Sequence, residues 1–288
     1  MAIGMLTQVK KAIRNLNPQE VRDQAARPLS IGMVAPTSER LWRIEKFLCP
    51  PELSPARRAQ VSRMLHRVTA NERTQAFDFE IWDDSLATPE HVFAFDAENP
   101  QLMIDDVLRR RSDLTLPLAR YIAPFRKPAI SKLINGVARE NALFALATAL
   151  PDMVPLLSLP WAVGEFASDT AFLTGNQIRL TFLIAAASDR EVGYREQKGQ
   201  IGSIVAGAFG FRALARELVG KIPFGGGLLP KAAVSYAGTW VVGRSMERYF
   251  SLGYGFTRAE RRTVFEDAVG RGREIATGLL NTFRPQRS

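Results

Sequence analysis

Cysteine is almost missing from this chain: Cys49 is the single one in 288 residues. One thiol cannot close an intramolecular disulfide, and it fits a reducing compartment. Histidine is nearly as scarce. His66 and His91 stand alone, so no cluster with zinc-ligand spacing exists. The opening MAIGMLTQVKKAIRNL lacks an uninterrupted apolar core, so a secretory signal is not expected and the chain is placed on the cytoplasmic side. Low-complexity tracts and repeats of solenoid period are also absent. With 46% hydrophobic and 23% charged residues, the composition is that of a folded globular chain.

Long apolar runs are missing too. Between Glu140 and Glu165 lie 24 residues whose only charge is Asp152, but Pro151, Pro155 and Pro160 interrupt them. The uncharged pieces are 11 and 12 residues long, short of the roughly 18–20 a spanning helix requires. Gly199–Phe211 stops at Arg212, and Ile222–Gly243 contains Lys231. Two half-length helices meeting at a proline suit a re-entrant membrane hairpin and a buried hairpin of a soluble bundle equally well. Small residues four apart (Ser203 with Gly207, Ala206 with Gly210, Ala233 with Ala237, Ser235 with Thr239) allow close helix approach in either setting. Asp152 could cap a helix after Pro151, the plainer option, pair with Lys231 or Arg212, or mark an ion path.

Charge is present, and unevenly placed. Residues 1–112 carry 16 Lys and Arg against 15 Asp and Glu, whereas 113–288 carry 22 against 14, a net +8. The more basic part is also the more apolar one, which suits an anionic membrane surface. Nucleic acid is not expected, because no basic stripe with interleaved aromatics and no finger or helix-turn-helix spacing appears.

The element pattern is that of an α+β protein. Residues 1–28 read as basic amphipathic N-terminal helices, with Met5, Val9, Ala12, Ile13 and Leu16 on one face and Asn17-Pro18-Gln19-Glu20 starting the second helix. Residues 29–112 read as a small α/β unit. LSIGMVA (29–35) and HVFAFDA (91–97) suit buried strands, FDFEIW (77–82) alternates as a half-buried strand should, and ERLWRIEKFL (39–48) is an amphipathic helix. Ser54-Pro55 opens a further helix expected to run through Val68. From Asn99-Pro100 helical periodicity takes over, and 113–288 is expected to be a mainly helical domain with apolar hairpins. Pro124 and Pro128 punctuate it, while Ser188–Glu191 and Thr257–Glu260 both read as capping boxes.

No motif assembles an active site. A phosphate loop needs G-x-x-x-x-G-K-[ST]. The loop after LSIGMVA is Pro36-Thr37-Ser38-Glu39, and in GKIPFGGGLLPK (220–231) a proline precedes Lys231 and Ala232 replaces the hydroxyl residue. Asp83-Asp84 and Asp105-Asp106 read as solvated charge rather than metal ligands. G-x-S-x-G is absent. The expectation is therefore a non-enzymatic protein with no cofactor and no metal. Asp152, Arg212, Arg216, Lys231 and Arg244 are candidate membrane or partner contacts.

FRALARELVGKIPFGGGLLPKAAVSYAGTWVVGRSMERYF (211–250), with ARENALFALATALPDMVP and FLTGNQIRLTFLIAAASDR upstream, resembles the YcjF-like family, a domain of unknown function. The shared features are an arginine-bearing helix (Phe211, Arg212, Arg216), a proline-glycine turn (Pro223, Gly225–Gly227), the Asn176-Gln177 step and the run to Arg248, Tyr249 and Phe250. They cover roughly residues 120–255. The resemblance implies a helical domain at the bacterial inner membrane, on its cytoplasmic side, coupled in some relatives to a GTPase. It supplies no catalytic residues. The reading that follows is an accessory or scaffold protein that regulates a partner protein. The alternative is a soluble cytoplasmic nucleotide-dependent switch with a divergent phosphate loop near Gly32–Ser38.

Overall fold

The computed structural model describes residues 16–68, 76–87, 89–149, 169–207 and 228–283. The protein is α+β. Its contacts divide it into an α/β unit, residues 22–131 with 186–189, and a helical unit formed by 1–21, 132–185 and 190–288. The first expected amphipathic segment, residues 1–15, lies outside the described residues. The helix expected after it is present as α1 (Pro18–Ala26), with the Asn17 side chain accepting from the Gln19 amide at 3.1 Å.

The α/β unit is built on four short strands: β1 (Ile31–Val34), β2 (Leu65–Arg67), β3 (Phe79–Asp83) and β4 (Phe93–Phe95). All pair in parallel, in the order β2-β1-β3-β4, with Ile31 opposite both Leu65 and Phe79. Helices α2 (Ser38–Leu48) and α3 (Pro55–Ser62) join β1 to β2. Ile44 and Leu48 of α2 are fully buried, each worth about 1.5–3 kcal/mol of burial. Phe79 meets Phe93 edge-on at 5.5 Å, and Phe47 lies 5.3 Å from Phe95. Gly32 sits inside β1, where an added Cβ would come within 2.9 Å of Phe77 and Glu80. It is a packing glycine.

One sequence expectation fails here. The helix opened by Ser54-Pro55 does not reach Val68; it ends at Ser62, and Leu65–Arg67 is the strand β2. Local propensity is ambiguous over MLHRV, and the neighbouring strand decides: Ile31 donates its amide to the Met64 carbonyl and Val68 donates to Met33.

After β4 come α4 (Pro100–Arg110), a 3₁₀ turn at Ser112–Leu114, α5 (Thr115–Tyr121) and α6 (Ala123–Ala147). Pro128 does not break the chain direction as expected. It lies inside α6, near the start, where a missing N–H removes a single helical bond.

The helical unit contains the larger part of α6, with α7 (Asp169–Ala187), a helical stretch at 198–207, α8 (Leu228–Leu252) and α9 (Arg258–Phe283). Helices α8 and α9 pack side by side. Ala138, Ala142, Ala145, Ala232 and Ala276 form one alanine-rich core with Leu146 and Tyr236, and Ala237, Val241, Phe265, Ala268 and Val269 form another. The approach is close. A Cβ on Gly272 would lie 2.6 Å from the Ala233 carbonyl oxygen, and one on Gly243 would lie 2.8 Å from Ile134. Ala233, singled out for its small-residue spacing, is thus at a helix–helix crossing.

The two capping boxes part ways. Thr257 and Glu260 exchange both bonds, amide to carboxylate at 2.7 Å and amide to hydroxyl at 3.2 Å, at the start of α9. Ser188–Glu191 starts no helix. Asp189 adopts φ +56°, Arg190 donates back to the Ala185 carbonyl and Asp189 to that of Ala186. That geometry terminates α7 with a Schellman cap, with aspartate in glycine's usual place. Among the described residues no helix is long and apolar enough to cross a membrane.

Candidate functional site

A parallel sheet of this order binds ligands, where it binds them, outside the carboxyl ends of the strands at which the order reverses. Here that place lies between β1 and β3. Only Ala35, Pro36 and Thr37 separate β1 from α2, and Thr37 caps the helix by accepting from the Arg40 amide at 3.3 Å. β3 ends on Asp83, which is buried. Arg40 reaches across to Asp83 at 2.7 Å and lies 3.7 Å from Asp84. Ser85 donates to the same Asp83 oxygen from its amide at 3.1 Å and from its hydroxyl. Burial opposes ionisation of Asp83, but the bonds from Ser85 and Arg40 outweigh it and hold the carboxyl below its ordinary range. The crevice is thus filled by an internal ion pair. An anion arriving there meets two carboxylates beside one guanidinium.

The helical unit holds its polar groups deeper. Asn176 on α7 donates to the Asn141 side-chain oxygen on α6 at 2.7 Å, and Asn141 donates to the Thr239 hydroxyl on α8 at 2.6 Å. The Thr239 hydroxyl donates to the Ser235 carbonyl at 3.0 Å. All three side chains are buried. Asn176 and Asn141 each find an acceptor on another helix, and the chain of bonds ends on the backbone of α8. The Asn176 Oδ1 atom has no hydrogen-bond partner among the described residues. Arg179, three residues after Asn176, pairs at 2.6 Å with Glu140, the residue before Asn141. Burial pushes the Glu140 carboxyl up and the Arg179 guanidinium down, against the mutual attraction of the pair. Asn176 was legible from the sequence as a distinctive step. Asn141 and Thr239 were not, since their meeting depends on helix packing.

Of the sequence-selected contacts, Lys231 and Arg244 lie among the described residues, thirteen residues apart on α8. Asp152, Arg212 and Arg216 lie outside the described residues. Lys231, in the first turn of α8, donates to the Thr148 hydroxyl at 3.0 Å. Arg244 does not end the apolar run as a polar terminus. α8 continues through it to Leu252, and Arg244 pairs with Glu247 at 2.6 Å while lying 5.1 Å above Trp240. Arg271 of α9 lies 4.9 Å from the same ring.

Two clefts remain. One of about 340 Å³ in the α/β unit is lined by Phe77, Glu80, His91, Arg110 and Arg111 among others. Arg110 is held there over Phe93, 4.3 Å from the ring. Another, of about 420 Å³ in the helical unit, includes Arg190, Glu196, Gln197, Tyr249 and Gly253. Among the described residues no three His, Cys, Asp or Glu side chains could hold a metal ion together. Comparison with family models, curated proteins and solved structures finds no match for this chain.

Proposed function

We propose that this chain is a non-enzymatic accessory or scaffold protein that attaches to the cytoplasmic face of an inner membrane through its helical unit and regulates a partner protein there. The charge partition carries this reading: residues 113–288 hold the net +8, against +1 for 1–112. Anionic lipid attracts such a surface without any helix having to cross the bilayer. The resemblance of residues 120–255 to the YcjF-like family points the same way. In cell fractionation the full chain is expected with the membranes and to leave them at high salt. A monodisperse soluble species that ignores anionic vesicles overturns the reading.

A nucleotide-dependent switch is the second reading, and the β2-β1-β3-β4 parallel order favours it. Against it stand the three-residue connection after β1 and the Arg40–Asp83 pair in the crevice. Thermal-shift titration with GTP and ATP plus magnesium separates the two. The accessory reading predicts no shift at millimolar nucleotide, and a saturable shift favours the switch.

A further inference from the structure

The turn between α8 and α9 is built in an unusual way. Turns at protein surfaces are ordinarily polar, because glycine, asparagine, aspartate and serine serve the backbone there and apolar side chains gain nothing in water. This turn is rigidly held. Gly253 takes φ +87° and donates to the Tyr249 carbonyl at 2.8 Å. Phe256 donates its amide to the Ser245 hydroxyl at 3.1 Å. Arg248 ties both sides together, paired with Glu260 at 2.7 Å and lying 4.9 Å from the Tyr254 ring and 5.3 Å from that of Phe256. Yet the apex it fixes presents Leu252 at 60% exposure, Tyr254 at 56% and Tyr249 at 37%.

Along the chain the charges beside this apex are mainly basic, while the cleft against Tyr249 and Gly253 also holds Arg190, Glu191 and Glu196. Residues 248–262 hold four arginines and a single acid, Glu260. Arg248 pairs with Glu260 and Arg262 with Glu266, while Arg258 and Arg261 are exposed and form no ion pair among the described residues. An exposed leucine between two tyrosines, flanked by arginines, matches what the headgroup region of an anionic bilayer accepts. Tyrosine rings settle at the level of the headgroups, leucine enters the acyl boundary and arginine meets the phosphates.

We propose that the α8–α9 turn is the surface by which this chain meets an anionic lipid bilayer, an inference that rests on the membrane reading above and assigns its contact. Leu252 inserts, Tyr249 and Tyr254 lie at the interface, and Arg258 and Arg261 bind lipid phosphates. The turn needs no refolding to do so, because its internal bonds already hold the apex outward.

Vesicle flotation of the full chain tests this, with phosphatidylethanolamine–phosphatidylglycerol vesicles against phosphatidylcholine vesicles. Wild type is expected to float only with the anionic ones. Leu252→Ser, and separately Arg258→Glu with Arg261→Glu, are expected to weaken that binding by about tenfold. Arg63→Glu with Arg109→Glu changes the net charge equally in the α/β unit and is expected to weaken binding by less than about twofold. Circular dichroism melts establish that each variant stays folded. Equal losses from the two charge-reversal pairs mean diffuse attraction and overturn the turn as the contact. Wild-type binding with both turn variants unimpaired overturns the turn alone and leaves the membrane reading standing. A wild type that binds no vesicle overturns both and favours an acidic protein partner.

Discussion

Among the described residues of the α/β unit the buried polar side chains are Asp83 and Thr115, and Asp83 sits at the rim of the sheet where Arg40 and Ser85 reach it. In the helical unit Asn141, Asn176, Thr181 and Thr239 are buried between helices whose other contacts are largely alanine. A sheet satisfies its own backbone and can be lined with Ile, Met and Phe, so polar groups are needed only at its ends. Alanine-faced helices fit together in many registers, and a buried amide chain selects one of them. The two units use polarity for different ends: one closes a crevice, the other sets helix alignment.

The largest expected effect comes from breaking the alignment chain. Asn141→Leu removes an acceptor for Asn176 and a donor for Thr239, leaving polar atoms buried without partners. Urea denaturation is expected to show a loss of roughly 2–4 kcal/mol. Adding Asn176→Leu removes the stranded amide as well, so the double variant is expected to recover part of that loss. A double variant less stable than the single one would show that the amides are not acting as a pair.

A smaller loss is expected at the sheet rim. Arg40→Ala leaves Asp83 ionised beside Ser85 but without its guanidinium, and Arg40 is itself partly exposed to solvent. A loss well below that of Asn141→Leu is expected in the same measurement, because solvent screens the exposed guanidinium. A loss as large as that of Asn141→Leu would erase the contrast between rim and core.

The smallest effect concerns pH. Glu140 and Glu260 each pair with an arginine, yet burial pushes Glu140 up, whereas the bonds from Arg248 and Thr257 bring Glu260 down to about 2. A carboxylate depressed in the folded state stabilises it above its ordinary value and loses that contribution as pH falls. For Glu260 the window runs from about 4.5 to about 2. Melting temperature is expected to fall across that range in wild type and to fall less steeply in Glu260→Gln. Identical slopes would remove the α9 capping box as the source.

Much of this was open to sequence reading, for identifiable reasons. LSIGMVA announced β1 and the spacing of Ile44 and Leu48 announced α2, because apolar periodicity is local. The Thr257–Glu260 box was legible for the same reason, as its two bonds span three residues. Ser188–Glu191 has the same residue pattern but became the end of α7. The cap formed depends on where the preceding helix stops.

Composition, charge partition, the interruption of every apolar run and the α/β-then-helical order are determined by the amino-acid sequence itself, since each rests on residue type and near neighbours. Tertiary structure alone decided that Leu65–Arg67 is a strand, because its bonds go to β1, and that Arg40 closes on Asp83, 43 residues away. It also decided that Asn141 meets Thr239 across 98 residues. Such contacts form only once packing has brought distant segments within hydrogen-bond reach, a constraint that no local pattern of residues carries.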